Sequence, residues 1–445
     1  MGLKKTVKLS ALVSAVEKDL IDIGECIDMH QFCAFWGAYD VFSYFDDLVL
    51  LVHGTAGCTA NRHFLTSMGQ MDNCDKRSHH TTDMKENDII FGGEQKFMDS
   101  LEEVMKKNPD KNVAVLTNCC TDIIGDDVEG CIESLPDEDR KRVIFMNTGG
   151  YSGKTYRDGT ENAFRHLAEK LYSFGRSKDR EQKGSVNLFT RRWLWDPTKK
   201  KEIDEIKRDL GLIGLKMNEV FDHGFNMERL EKMSEADVNV SLCPFYSRGF
   251  FDQLRTLGGI DYVDSSAPIG LEATMRWLED IARKLSMDIS YIYENEEISE
   301  LFRMRDELRK KIGSGRKCVI WNQTGDRLLS LVKLASELGM EPVIVGIELS
   351  TMREKFHIFK KEVCEGGVEA VVYPSKYIDE IRELVNELDA PVIFCNDNFF
   401  SGKKVFRYRF AHNPVYGLNG ARSIFTALNE TLDTPMNNYS IFLEK

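Results

Sequence analysis

Three cysteines are the residues whose type and spacing could do chemistry. Each sits in its own short motif: Cys33 in QFCAFWGA, Cys58 in VHGTAGCTANRHF and Cys119 in VLTNCCTDIIGDDVEG. None belongs to a CxxC pair, which argues against a zinc ribbon or a thioredoxin-type redox site. Long stretches of chain separate them, so only tertiary structure can bring them together. Thiolates are soft ligands that suit iron–sulfur clusters. A four-iron cube takes four of them, and three is one short. Three loop-borne thiolates completed by a second subunit therefore point to a metal cluster held between chains. The competing reading is a set of buried, inert cysteines, which are common in cores.

The elements that must position these loops alternate along the chain. Short β-branched runs stand at Val113–Thr117, Val143–Met146, Ser185–Thr190, Val238–Leu242, Cys318–Trp321, Pro342–Val345, Val368–Tyr373 and Pro391–Cys395. Between them lie helical patterns, such as Arg327–Leu338 with the apolar spacing of a buried face, ended by Gly339. Glu294–Lys311 is expected to be a charged linking helix. This is the β-α-β rhythm of α/β folds with doubly wound parallel sheets. Three such Rossmann-like units are expected, roughly 1–180, 181–310 and 311–445. In such sheets ligands bind beyond the carboxyl ends of the strands. Cys119, Cys243 and Cys395 each follow a strand pattern and stand at that place.

Bulk properties narrow the function classes. The chain has 445 residues, 42% of them hydrophobic, enough for two or three domains that each bury a core. No run approaches the ~18 apolar residues of a membrane span. The N-terminus, MGLKKTVKLSALVSAVEKDL, reads as an amphipathic helix and not a signal peptide, because Glu17 and Asp19 interrupt its apolar patch. Thr6 matches a myristoylation pattern, but an ordinary helix is the simpler reading. Eleven cysteines without a secretion signal imply the reducing cytoplasm. A net charge of −13 argues against nucleic acid as the main partner. The basic run Lys199–Lys201, followed by Glu202, Asp204 and Glu205, is expected to be a solvated helix start. The adjacent His79 and His80 have no spaced partners and make a weak metal signal. No GxxxxGK[ST] P-loop is present, so the chain should not hydrolyse ATP itself.

Together VHGTAGC, DIIFGGEQK and NCCTDIIGDDV resemble the nitrogenase component 1 superfamily, in order and over essentially the whole chain. That family includes the two chains of the dinitrogen-reducing metalloprotein, cofactor-assembly scaffolds, tetrapyrrole reductases and other nitrogenase-like reductases. The resemblance implies three Rossmann-like domains around a central cleft. It also implies that Cys33, Cys58 and Cys119 ligate an iron–sulfur cluster, 4Fe–4S or larger, at a subunit interface. Gly54 and Gly57 would let backbone approach its sulfides closely. Cys120 rivals Cys119, and Cys26 rivals Cys33; the spacing to Gly125-Asp126-Asp127 and the following AFWGA favour Cys119 and Cys33. Asp126 and Asp127 are expected to fix their loop and cap the next helix.

A second complex iron–sulfur cofactor is the other implication of the resemblance. Cys243 falls where the catalytic chain has a cofactor-ligating cysteine. Tyr416 occupies the place of that chain's histidine and is a poor replacement for it on a sulfur-rich cluster. His412 lies nearby. Arg327, in a helix-entry loop near the expected cleft, would face an anionic ligand or simply cap its helix. GDRLLSLVKLASELGMEPV, APIGLEAT and PVYGLNG look more like the non-catalytic partner chain, in which Cys243 would hold nothing. The implied function is an iron–sulfur subunit of a nitrogenase-like oxidoreductase. It would pair with a homologous chain as a dimer or α2β2 tetramer, and take electrons from an ATP-dependent P-loop iron–sulfur reductase. A small-molecule substrate of unresolved identity would receive them. The alternative is a scaffold subunit on which a nitrogenase-type cofactor is assembled. Tetrapyrrole reduction is a third and less favoured reading, since nothing demands a flat macrocycle pocket. No catalytic residue is assigned.

Overall fold

A computed structural model of the chain describes residues 7–8, 33–60, 79–151, 155–175, 184–190, 199–222, 224–320, 325–347, 371–374, 388, 392–394, 406–408 and 415–433. Three sheets form among these residues. The first runs His79–Thr81, Leu48–His53, Asn112–Thr117, Val143–Met146 in spatial order, every pair parallel. The second runs Lys216–Phe221, Ser185–Phe189, Val238–Ser241, again parallel. The third sets Val371–Pro374, Met340–Ile347, Arg316–Ile320, Val392–Phe394 and Phe406–Tyr408 in parallel order. Val7–Lys8 adds an antiparallel edge to the third sheet. Those two residues lie in the stretch expected to be helical; residues 9–32 are outside the described ones. The α/β class and the parallel sheets agree with the sequence rhythm.

Helix boundaries follow local chemistry. Asn295 caps helix Glu296–Ile312, accepting from the N–H groups of Glu297 and Ile298. Gly339, at φ +73, follows helix Gly325–Glu337 and turns the chain into strand Met340–Ile347.

Apolar clusters extend from sheet to sheet. Strand alternation splits the first sheet into two faces. Val49, Leu51, Val113 and Val115 pack on Phe97 and Leu101. Leu48, Leu50, Val52, Ala114 and Leu116 face a second cluster, which continues into Phe189 and Phe221 of the second sheet and into Phe164, Phe250 and Phe251. A third cluster joins Val186, Leu188 and Val240 of the second sheet to Cys318 and Ile320 of the third. The middle sheet is thus buried against both neighbours, and the three sheets are held together by apolar packing.

One expectation needs correction. Lys199 does open a helix, Lys199–Leu212, and Lys200, Lys201 and Asp204 are exposed. Glu202, Glu205 and Asp209 on the same helix are buried. They clamp the start of helix Gly417–Asp433. Glu202 Oε1 accepts from Val415 N at 3.1 Å, Asp209 Oδ2 from Leu418 N at 2.9 Å and Glu205 Oε1 from Asn419 N at 2.9 Å. These backbone donors would otherwise lack helical partners, which is the reason to bury carboxylates there. Arg208 ties the clamp together, 2.6 Å from Glu205, 3.1 Å from Asp209 and 2.6 Å from Glu297. Gly417 is required twice over: its φ is +76, and a Cβ there would stand 2.4 Å from Asp209 Oδ2.

Candidate metal-cluster site

Cys33, Cys58 and the Cys119–Cys120 pair converge at one end of the first sheet. Strand Leu48–His53 runs directly into Gly54 and then a helical turn carrying Cys58. Strand Asn112–Thr117 runs into Asn118 and the short helix Cys119–Ile124. Both segments leave the sheet at its carboxyl end, where parallel sheets present ligand-binding loops. Cys33 precedes helix Ala34–Phe42 in extended backbone and pairs with Thr155 in an isolated bridge. Thr155 caps helix Tyr156–Ser173. The two helices cross closely through small residues: a Cβ on Gly37 would lie 1.7 Å from Tyr156 O, and one on Gly159 1.8 Å from Ala34 O. The Tyr156 hydroxyl donates to the buried Asp40 at 2.7 Å and pins the crossing. Cys33 and Cys58 pack against the same aromatic-rich core.

Asn118 is the hub of the site and was not legible as such in the motifs. Its Oδ1 accepts from Cys120 N at 3.0 Å, an N-cap bond that fixes the amide's orientation. Its Nδ2 then faces the other loop, 3.3 Å from Thr55 O and 3.9 Å from Cys58 Sγ. Gly54 makes room for this buried amide. At φ +149 its missing Cβ would come within 2.2 Å of the Asn118 side chain. The one sequence signal available was residue type: asparagine at a strand end, just before the cysteine pair, is a preferred cap.

A second hidden network joins the three motifs. His53, buried under the Cys58 loop, places Nε2 3.0 Å from Asp126 Oδ2 and Nδ1 3.1 Å from Thr82 Oγ1. Asp126 also accepts from Gly93 N at 2.9 Å. His53 of VHGTAGC, Gly93 of FGGEQK and Asp126 of GDD are thereby one hydrogen-bonded unit. Burial pushes the His53 pKa down against the opposing pull of Asp126. A neutral ring fits: Nε2–H donates to the carboxylate and the Thr82 hydroxyl donates to Nδ1, a tautomer assigned from the network. Asp127 caps helix Val128–Glu133, its Oδ1 accepting from Gly130 N at 2.9 Å, as expected from its position.

The thiols lie close enough for a charge on one to oppose a charge on another. The Cys58 pKa is pushed up, first by burial and then by the charges of Cys33, Cys119 and Cys120; the Asn118 amide acts the other way. The four sulfurs therefore lie within electrostatic range of a single centre. All four cysteines carry free thiols and are half-buried. Among the described residues, no three His, Cys, Asp or Glu side chains gather around one metal ion.

The other expected residues lie elsewhere. Cys243 precedes helix Pro244–Thr256, its N–H donating to Ser241 Oγ at 3.0 Å. It packs against the core shared by the second and third sheets, and Tyr416 is buried in that same core. Arg327 is the third residue of helix Gly325–Glu337, with its side chain outside the described residues. Cys26, Cys395 and His412 are also outside them.

Beside the cysteine helix the surface is apolar. Helix Glu86–Phe91 packs on helix Cys119–Ile124. Ile90 is 70% exposed, Phe91 84% and Ile123 61%.

Comparison with known proteins gives the following. The family model of nitrogenase component 1 type oxidoreductases matches residues 33–434. The nitrogenase iron-molybdenum cofactor biosynthesis protein NifE of Nostoc sp. (strain PCC 7120) is 26% identical over 428 residues, covering 91% of this chain and 83% of that protein. The nitrogenase molybdenum-iron protein alpha chain of Methanothermococcus thermolithotrophicus is 24% identical over 369 residues, covering 80% of this chain and 75% of that one. Among solved structures, nitrogenase Cp1 at pH 6.5 superposes with a TM-score of 0.66 at 18% identity, over 91% of this chain and 93% of that one. This last likeness is one of fold.

Proposed function

The chain belongs to the nitrogenase component 1 type oxidoreductases, and from that premise we propose that it is the iron–sulfur subunit of a nitrogenase-like reductase. The convergence of Cys33, Cys58 and Cys119 at one sheet end carries the reading. These thiols would hold a cluster, 4Fe–4S or larger, at a boundary with a homologous chain in a dimer or α2β2 tetramer. A bound cluster would supply one-electron storage there. The chain's own part is to hold the Cys58 and Cys119–Cys120 loops together through Asn118, to half-bury Cys58 against the aromatic core, and to keep the uncharged His53 beneath the loop.

The apolar surface of Ile90, Phe91 and Ile123 supports docking of a P-loop iron–sulfur reductase beside the cysteines. Apolar groups this exposed and this close together mark interaction sites. Electrons would pass on to a small-molecule substrate between the three units, 1–180, 181–310 and 311–445. Cys243, Arg327 and Tyr416 are the residues of this chain proposed to face a second cofactor there. Among the described residues no helix is long and apolar enough to cross a membrane, and a cytoplasmic location fits the free thiols.

A second reading has its own support. The likeness to a cofactor biosynthesis protein favours a scaffold subunit, on which a nitrogenase-type cofactor is built and then handed on. Both readings need the same cysteines and differ in turnover. The deciding experiment is anaerobic purification with co-purifying chains identified, followed by iron and sulfide analysis and EPR. Iron bound by the wild type and lost in Cys58→Ala supports the cluster. Catalytic consumption of electrons then marks a reductase, and transfer of iron-bearing cofactor to an acceptor protein marks a scaffold. A wild type that takes up no iron on reconstitution rules out both.

A further inference from the structure

The apolar surface and the cysteine loops meet at one buried carboxylate. Helix Glu86–Phe91 carries the exposed Ile90 and Phe91, and two glycines lead from it into helix Glu94–Lys107. Gly93 N donates to Asp126 Oδ1 at 2.9 Å, and Asp127 N donates to Glu94 Oε1 at 3.0 Å. Helix Cys119–Ile124 carries the exposed Ile123 and runs through Gly125, at φ +75, into the same Asp126. Both apolar helices are therefore tied to Asp126, whose side chain is 3% exposed. His53 Nε2 lies 3.0 Å from Asp126 Oδ2. His53 stands between the two strand ends that lead to the cysteines. Its carbonyl accepts from Asn118 N at 3.3 Å, and Thr82 Oγ1, 3.1 Å from its Nδ1, accepts from Gly54 N at 2.9 Å. The junction has no room for a side chain on Gly93: a Cβ would lie 2.6 Å from both Asp126 Oδ2 and Met84 Cε, and 3.1 Å from His53 Cε1. The Gly93 φ of −104 is open to any residue, so the need for glycine there is one of space.

We propose that Asp126 is a positioning residue for electron entry: through Gly93 and His53 it fixes the apolar docking helices against the Cys58 and Cys119 loops. The inference rests on the proposed docking of a P-loop iron–sulfur reductase at Ile90, Phe91 and Ile123. Asp126 is buried, so it acts on a docked partner only through the helices it holds. A carboxylate bonded to a backbone N–H and to a buried ring holds them more firmly than a neutral acceptor would. The step it serves is a one-electron transfer: the reductase is oxidised, the cysteine site is reduced, and no bond forms or breaks. Such a transfer between two proteins depends on held geometry, as other reactions between oriented partners do. A small soluble reductant reaches the half-exposed thiols without docking, and its reaction should not depend on this junction.

The test sets two reductants against each other on the full-length chain, purified anaerobically with its co-purifying chains. One is dithionite; the other is a P-loop iron–sulfur reductase of the same organism with MgATP. Wild type, Phe91→Ala, Gly93→Ala, Asp126→Ala and Asp126→Asn are compared by iron content and by stopped-flow rates of reduction. Gly93→Ala and Asp126→Ala are expected to keep wild-type iron and the wild-type rate with dithionite. With the reductase they should slow by about tenfold, within the usual range of coupling between sites. Asp126→Asn keeps an oxygen for Gly93 N–H, and its amide can donate to Nε2 of the other His53 tautomer, so it should restore most of the rate. Wild-type rates with the reductase in Gly93→Ala and Asp126→Ala, while Phe91→Ala is slow, overturn the proposal and leave the docking reading standing. Equal slowing with both reductants, or loss of iron, overturns it too, because the cysteine loops themselves are then disturbed. An asparagine variant as slow as the alanine one assigns the effect to charge and overturns the positioning role. If the reductase fails to reduce the wild type, or Phe91→Ala reacts as fast as wild type, the docking reading fails and this inference goes with it.

Discussion

Two places in this chain tie the start of a helix to a distant segment through polar side chains. At the cysteine site one neutral amide, Asn118, caps helix Cys119–Ile124 and reaches across to the Cys58 loop. At the clamp three buried carboxylates of helix Lys199–Leu212 receive backbone N–H groups at the start of helix Gly417–Asp433. The first leaves four thiols half-exposed. The second buries its charges and sets Arg208 across them. Charge concentrated in a covered place serves to lock segments together. Soft, neutral donors around accessible sulfur suit reversible chemistry. The contrast assigns stability to one region and reactivity to the other, and it can be broken by mutation.

The largest separation is expected from Cys58→Ala. Iron binding should be abolished, while unfolding free energy changes by about 1 kcal/mol or less, as for other partly exposed positions. Iron assay and urea unfolding of the same preparation check both halves. Arg208→Ala should do the reverse. It leaves the buried charge shared by Glu205 and Asp209, which sits on Glu205, without its counter-charge. Breaking a buried pair costs about 3–5 kcal/mol, and the partial exposure of Arg208 puts the loss near the lower end, about 3 kcal/mol. Iron uptake should stay at the wild-type level. A clamp variant that lost iron at full stability would erase the distinction between the regions.

The clamp should also set the alkaline limit of stability. Burial first, and then the charge on Glu205, push the Asp209 pKa up to about 8. Glu205, held by Arg208 and Asn419, shifts down in spite of its burial. The shared negative charge thus sits on Glu205 and the proton on Asp209. An unfolded aspartate titrates near 3.9. Between about pH 4 and 8 the folded chain keeps a proton that the unfolded chain has lost, so the Asp209 contribution declines as pH rises through that window. Asp209→Asn keeps an oxygen for Leu418 N–H and removes the titration. Its stability should match wild type near pH 4 and below, and exceed it by a growing margin up to pH 9, a few kcal/mol at most. Coinciding urea curves for the two proteins at pH 9 would contradict the assignment.

What was legible in the sequence follows from the range of the interactions. Parallel strands and helix stops were readable because alternation, capping residues and Gly339 act within a few residues. Cys33, Cys58 and Cys119 were singled out by type and motif, and their convergence needed the sheet to bring two strand ends side by side. The clamp was missed because the acidic residues after Lys199–Lys201 look solvated until helix Gly417–Asp433, some two hundred residues on, covers them. The shared cores were missed for a similar reason: Phe189 and Phe221 pattern as ordinary strand residues, and nothing local says that they also cover the first sheet. His53 and Asp126 lay inside visible motifs, but their pairing spans 73 residues and no local rule predicts it.

Asn118 supplies the finest test of the comparison, because it acts on both fold and sulfur. Asn118→Ser retains an N-cap acceptor for helix Cys119–Ile124. A serine hydroxyl is too short to bridge to Thr55 O and Cys58 Sγ. Stability should fall by about 1 kcal/mol, the net worth of a lost hydrogen bond. The more telling readout is the reduction potential of the reconstituted protein. Hydrogen bonds to ligand sulfur help set cluster potentials. An N–H donor stabilises the more negative, reduced state, so losing it should lower the midpoint potential while iron content stays the same. An EPR-monitored redox titration of wild type, Asn118→Ser and Arg208→Ala separates the roles. A lowered midpoint in the serine variant alone makes Asn118 a tuning residue of the sulfur site. Equal midpoints in all three reduce it to a helix cap, a device of the same kind as the clamp.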